Sequence, residues 1–570
     1  MDDRVARLES QLQDLSRQVA DLARRLDALE GEPRQQAPSA TDEVIEAPAA
    51  RLPAAARGLD AGTALTFIGR TLVVLAGAYL LRALTDSGTL APHLGVGIGI
   101  AYALTWVVMA DRAGARSRRG SAAFHGLAFV LIGFPLLFEA TLRFKFLTHE
   151  ASAAALTALA AVALGVASRQ RLRGLAWVTT LGALFTAIVL MTLTAHVGPY
   201  AILLVLLGVA TLWMGYVLDW VSLRWPVALV TDLTVFVLTL RGISPRSLDS
   251  PAMALFVQVL LLALYLGSFA SRTLFRGRDI IPFEIAQSIV AIVVGLGGAA
   301  FVTRWTGVGA LPLGLATLVL GFGCYGVAIA FVERRQRRRR NFYFYAAVAL
   351  VFTMAGFGLL LPPAPLALTW AGCALVAAAM GRSMTSLTMK SHAVAYAAGA
   401  AIAGPLFSHV LHGLGAPLDL PWPPAGLATV LVLAAILASA WLVLTADPGP
   451  SPTSLARTPG FLLLVLGAGG VMGLAVAWLA PPLLATRPAA DAAGVIATLR
   501  TAVLVGATLA LAWTARAWLV EAGWLVYPLL VVTGLKFVFE DFRVSRPVTL
   551  FAAFALYGVA LILAPRLRRR

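Results

Sequence analysis

Charge is scarce in this chain: Asp, Glu, Lys and Arg make up 13% of its 570 residues, against about 25% in an ordinary soluble domain. Cysteine is scarcer still, with two. Cys324 and Cys373 stand in separate apolar runs, far from any other Cys or His at ligand spacing, which excludes a disulfide framework and a cysteine-based zinc site. Lysines are few and none sits in a G-x-x-x-x-G-K-[ST] run, so a built-in P-loop ATPase is excluded. The patterns G-x-S-x-G and H-E-x-x-H are also missing. No cofactor is implied, and the reading is non-enzymatic. The opening "MDDRVARLESQLQDL" is charged and periodic and lacks the apolar core of a cleavable signal peptide.

What is plentiful is apolar residues, 59% of the total. Runs of about 20 of them recur from Ala64 to Ala564, each long enough to cross a hydrocarbon layer of about 30 Å. Backbone polar groups in lipid must bond within their own segment, so these runs are helices. The fold class expected is all-α: a polytopic transmembrane helix bundle of about eighteen spans, the first near residues 64–84 and the last near 547–564.

A different period governs the beginning. Val5, Leu8, Leu12, Leu15, Val19, Leu22, Leu26 and Leu29 alternate spacings of three and four, the 3.5-residue repeat of a coiled-coil seam. Arg4 and Arg25 fall five residues before Glu9 and Glu30, which pairs opposite charges across a parallel, in-register homodimer. Leucine fills the d positions and also two of the a positions, Leu12 and Leu26, which leaves a trimer as the near competitor. Gly31 and Pro33 end the helix, so residues 1–31 read as a coiled coil and 32–60 as a Pro/Ala-rich linker.

The stretch "ERRQRRRRNFYFY", from Glu333 to Tyr345, packs six arginines and then four aromatics into thirteen residues of a chain whose net charge is +17. Nucleic-acid binding is the sharper reading of such a footprint. A short loop pinned between two spans offers few phosphate contacts, however, and topology explains the arginines fully. Arg112, Arg116, Arg118 and Arg119, then Arg169, Arg171 and Arg173, then Arg272, Arg276 and Arg278 fall in the even connections, as do Arg334, Arg335 and Arg337 to Arg340 and the tail Arg566 and Arg568 to Arg570. Basic short loops stay cytoplasmic, so both termini are expected inside, with Phe342 to Tyr345 in the interfacial aromatic belt. The expected partners are the lipid bilayer and a second copy of the chain, not nucleic acid.

An internal repeat is visible in the punctuation. "RALTDSGTLAPHLGVGIG" from Arg82 and "RWTGVGALPLGLATLVLG" from Arg304 share Arg, Thr, Gly, Leu and Pro in order. "CYGVAIAFVERRQRRRR" from Cys324 is echoed by "LYGVALILAPRLRRR" from Leu556, which places Lys536 where Arg82 and Arg304 fell. The organisation expected is an eight-span unit at 61–280, a parallel copy at 281–519, and a final pair with a basic tail at 520–570.

Ionisable groups inside the runs are candidate sites. Asp232 lies centrally in "PVALVTDLTVFVLTL", where a carboxylate costs about 2.5–3.5 kcal/mol and the nine Leu, Val and Phe return about 0.3–0.6 each. Asp232, with the shallower Glu139 and Glu284, is a candidate intramembrane relay. Arg82, Arg304 and Lys536 are candidate contacts for an anionic head group, or basic chains reaching to the interface. His409 and His412 with Asp419 form too sparse a set for a metal site.

The heptads, "GAYLLRALTDSGTLAP" after the first span and "SRQRLRGLAWVTTLGALF" together resemble a domain-of-unknown-function family of bacterial polytopic membrane proteins with an N-terminal coiled coil. Two departures stand out: "HLG" after the proline of the first motif, where the family tends to have a basic residue, and Gly182-Ala183-Leu184-Phe185 in place of Gly-Gly-Phe. The resemblance implies a multi-pass protein of a bacterial inner membrane and carries no activity with it. The function expected is transport or binding of an amphipathic or lipid-linked substrate. An oligomeric scaffold in an envelope assembly is the first alternative. A membrane-embedded transferase ranks last, because the longest outer loops carry only Asp419 and Asp491.

Overall fold

A computed structural model describes residue 69, scattered positions between 72 and 85, and residues 87–568 apart from 335–338, 416–424, 447–453 and 486–488. The chain divides into two units, Met1–Arg70 and Thr71–Arg570. All that follows concerns the second. The heptad positions Val5 to Leu29, the linker and most of the first expected span lie outside the described residues.

The described residues form helices and no strand. In chain order these are α1 (Pro92–Ala115), α2 (Arg119–Leu142), α3 (His149–Arg169), α4 (Arg173–Thr194), α5 (Gly198–Val217), α6 (Arg224–Gly242) and α7 (Pro251–Ala270). Then come α8 (Pro282–Ala291), α9 (Gly298–Thr306), α10 (Ala310–Arg334), α11 (Arg339–Leu360), α12 (Pro363–Ser383), α13 (Leu387–Ala403) and α14 (Leu406–Gly415). The series ends with α15 (Leu427–Leu444), α16 (Ser454–Ala485), α17 (Ala489–Ala517), α18 (Ala522–Lys536), α19 (Phe542–Val544) and α20 (Pro547–Arg568). Wider turns with π geometry extend α7 over Ser271–Phe275, join α8 to α9 over Ile292–Gly297, and join α18 to α19 over Phe537–Asp541.

Sixteen of the described helices are long and apolar enough to cross a membrane, or 17 if the bent pair α13–α14 counts as one span. The polytopic helical bundle expected from the sequence is therefore the architecture found. Proline and small polar residues start the helices as their chemistry requires. Pro92, Pro251, Pro282 and Pro363 occupy first positions, where a missing N–H costs nothing. Thr148, Ser250 and Ser386 accept from the third residue onward as N-caps.

One expected span differs. The continuous apolar run at 391–411 is two helices meeting at 71°. Pro405 disfavours helical geometry in the residue before it, and Gly404 is accordingly extended, with φ −86° and ψ 174°.

Buried side chains form one large cluster running from α1 to α11, with Phe129, Tyr200, Tyr265 and Phe269 among its largest members. Separate clusters join α12 to α16 and α17 to α20. Many large apolar side chains, Phe185, Leu229 and Val548 among them, are exposed, the distribution that contact with lipid tails calls for. At α14 the packing is backbone to backbone. A Cβ on Gly473 of α16 would stand 2.6 Å from Val410 Cα, and one on Gly413 would stand 2.8 Å from Gly473 O.

Candidate functional site

A cavity lies between the end of the first expected span, α1 and α2. The chain leaves that span by a turn in which Gly88 adopts φ +74° and Leu90 N–H donates to Leu84 O at 3.0 Å. α1 then returns close beside it. A Cβ on Gly95 would fall 2.2 Å from Thr85 Oγ1, so only glycine admits this approach. From the other side comes α2, whose internal Pro135 has no N–H to give to the carbonyl of Leu131 four residues earlier.

The space enclosed is about 170 Å³, walled by Val96, Leu131, Ile132 and Leu136, with the rings of Tyr79, Tyr102 and Phe144. Arg82 and Glu139 close one part of it with an ion pair, Nη1 to Oε1 at 2.7 Å. The Arg82 side chain is still 41% exposed, and its guanidinium lies 6.0 Å from the Tyr79 ring centroid. Two residues that the sequence marks separately, one as a head-group contact and one as a relay, thus share a single site.

The other relay candidates have different surroundings. Glu284 is fully buried and heavily bonded: Arg272 Nη1 reaches both its oxygens at 2.9 Å, Ile281 N–H donates to Oε2 at 2.9 Å, and Tyr216 O–H donates to Oε1 at 2.5 Å. It caps α8 and fastens the turn that precedes it. Arg224 stands close by, its guanidinium 4.1 Å from the Phe283 ring. Asp232, in the middle of α6, is buried too, and its partner is a neutral amide: Gln287 Nε2 donates to Oδ1 and Oδ2 at 3.0 and 2.9 Å.

Arg82, Arg304 and Lys536, which the expected repeat would align, sit in three unlike places. Arg304 is exposed in the last turn of α9, just before Gly307. Lys536 is largely buried and donates to Thr501 Oγ1 at 2.6 Å, to Asp541 Oδ2 at 2.7 Å and to Ala497 O. Beside it Arg500, 2% exposed, donates to Glu540 Oε1 and Gly413 O, each at 2.7 Å, and to His412 O at 3.1 Å. Sequence reasoning passed over Arg500, Glu540 and Asp541. The available signal was an arginine four residues inside an apolar run and a Lys–Glu pair at i,i+4 near the end of the next.

Among the described residues no group of three or more His, Cys, Asp or Glu could hold a metal ion. His409 Nδ1 is occupied by Pro405 O at 2.5 Å, and Asp419 lies outside the described residues. Compared with protein-family models, with curated proteins and with solved structures, the chain gives no match.

Proposed function

We propose that this chain binds or carries an amphipathic molecule with an anionic head group, and that Arg82 is the head-group contact. The observation that carries this reading is the cavity between the first span, α1 and α2, apolar along its walls and charged at one place. Its volume of about 170 Å³ is below the about 300–1,000 Å³ that encloses a drug-sized ligand. It therefore accommodates part of a molecule, the remainder lying in lipid. Arginine's planar fork suits phosphate and carboxylate groups, and a lipid anion competes with Glu139 for it.

The rest of the proposal concerns placement. The resemblance in the first third of the chain supports a bacterial inner membrane, the basic connections support cytoplasmic termini, and the heptads of residues 1–31 support a parallel homodimer, with a trimer next. The tandem repeat is supported by equivalent neighbours: α3 packs on α5 as α12 does on α15, α4 on α6 as α13 on α16, and α2 on α4 as α11 on α13. Asp232 is the remaining relay candidate, because its partner is an amide rather than a cation.

Native mass spectrometry of the full chain released from membranes tests the binding reading. Anionic lipid-like adducts on the wild type should fall several-fold in Arg82→Ala and rise in Glu139→Gln, which removes the competing carboxylate. Equal adducts in all three would leave the scaffold reading standing instead.

A further inference from the structure

The charges on α17 and α18 converge on the end of the broken span. Half-helix ends inside spans are where transport proteins commonly place ion sites. Here the last turn of α14 directs the carbonyls of His412 and Gly413 at Arg500, which is also paired with Glu540. A cation at a helix C-terminus offsets the partial negative charge of its unbonded carbonyls. Arg500 is thus the clasp on α14, and Glu540 holds the clasp.

Glu540 and Asp541 belong to the π turn Phe537–Asp541. In an α-helix residues five apart point about 140° away from each other. The wider turn, with hydrogen bonds closing on the fifth residue, stacks them instead, and that is how Asp541 Oδ2 comes to stand 2.7 Å from Lys536 Nζ. Thr501 Oγ1 donates to the same oxygen at 2.9 Å. The other oxygen, Oδ1, is buried with no hydrogen-bond partner among the described residues, on a side chain of 0% exposure. A buried acceptor in that state is costly, the more so when it carries charge.

We propose that Asp541 is a proton-binding site and that a proton on its Oδ1 releases the half-helix Leu406–Gly415. A hydronium ion delivers the proton, an O–H bond forms at Oδ1, water departs, and the carboxylate becomes a neutral acid. Nothing is oxidised or reduced. Lys536 then loses its counter-charge and turns to Glu540, whose Oε2 is 3.8 Å away, one helical turn along. Glu540 now serves two cations, and Arg500 loosens its hold on His412 O and Gly413 O. The groups facing this cluster are Lys536 and Glu540 from the segment of Asp541 and Arg500 and Thr501 from α17; α14 contributes the backbone carbonyls of His412 and Gly413. The Gly404–Pro405 joint leaves α14 without helical continuity to α13, so what holds it is the Arg500 clasp together with its packing on Gly473 of α16. This inference is independent of the ligand reading at Arg82.

The test uses the full chain in lipid nanodiscs. Protection of the amides of residues 406–415, taken relative to the intrinsic exchange rate at each pH, should fall on acidification in the wild type. Asp541→Asn, isosteric with the protonated acid, should lose that pH response and stay at the acid level, while Asp541→Glu should keep it. In pH-difference infrared spectra a protonated-carboxyl band should vanish in Asp541→Asn and persist in Glu139→Gln. Should Asp541→Asn fail to fold, aspartate-specific carbon-13 labelling in an Asp232→Asn background should shift the band. A band indifferent to both changes, or protection over 406–415 that ignores pH in the wild type, overturns the proposal and leaves the Arg82 reading untouched.

Discussion

Gln287 donates to both carboxylate oxygens of Asp232 through its one amide nitrogen, at 3.0 and 2.9 Å, joining the middle of α6 to α8 by a charge held on a neutral group. Removing that amide strands the charge. Gln287→Leu should lower stability by about 1–3 kcal/mol, the cost of a buried acceptor left unsatisfied and more where it is ionised, read as a lowered unfolding midpoint in detergent. Asp232→Asn should keep the wild-type midpoint, because an amide pairs with an amide in the same space. The same variant separates the functions: a scaffold tolerates it, whereas a carrier that moves protons through Asp232 loses coupling in a transport or growth assay.

How much of this was legible depends on what each feature rests on. The spans were, because hydropathy over about 20 residues is a sum and survives single exceptions. Asp232 within α6 and Pro135 within α2 did not hide either helix. The break at Gly404–Pro405 was not legible, since one proline inside an apolar run reads equally as a tolerated kink. Pairings across helices were also hidden. Nothing in the order of residues says that Glu139 meets Arg82, or that Arg500 meets Glu540, because those meetings depend on helix rotation. The π turn at Phe537–Asp541 has no composition of its own, so Lys536 read as an interface residue equivalent to Arg82 rather than as half of a buried pair.

Glu284 gives the clearest contrast with Asp232. Its carboxylate holds Arg272, a backbone N–H and a tyrosine hydroxyl at once, and Arg272 is itself only 17% exposed. Breaking a buried pair by removing one partner costs about 3–5 kcal/mol. Glu284→Ala should therefore depress expression and unfolding temperature severely, with Arg272→Ala close behind. Retention of a wild-type midpoint in Glu284→Ala would make this residue a relay candidate again.

Glycine positions in the last third of the bundle should separate by surroundings. Gly473 meets the backbone of α14, so Gly473→Val forces the half-helix away and should cost about 1–3 kcal/mol or more, as overpacking does. Gly506, exposed in α17, has nothing within 4 Å of where a Cβ would stand. Gly506→Ala should be neutral or gain up to about 1 kcal/mol from helix propensity. Thermal unfolding of the two variants side by side checks the contact, and equal midpoints would contradict the close approach of α14 and α16.

The seam at Val5 to Leu29 makes an expectation of a different kind, about assembly. In a parallel, in-register dimer every core leucine faces its own counterpart across the interface, so a cysteine placed at Leu15 meets an identical cysteine. The native thiols, Cys324 and Cys373, are both partly buried within spans, so the variant can be read against a background in which both are serine. Oxidation of Leu15→Cys in native membranes should trap paired chains in high yield, whereas a cysteine at the intervening Asp14 should crosslink poorly. A trimer gives the same covalent pair but leaves one chain in three uncrosslinked at completion, which the yield distinguishes. Chains that remain wholly monomeric under oxidation would remove the dimer.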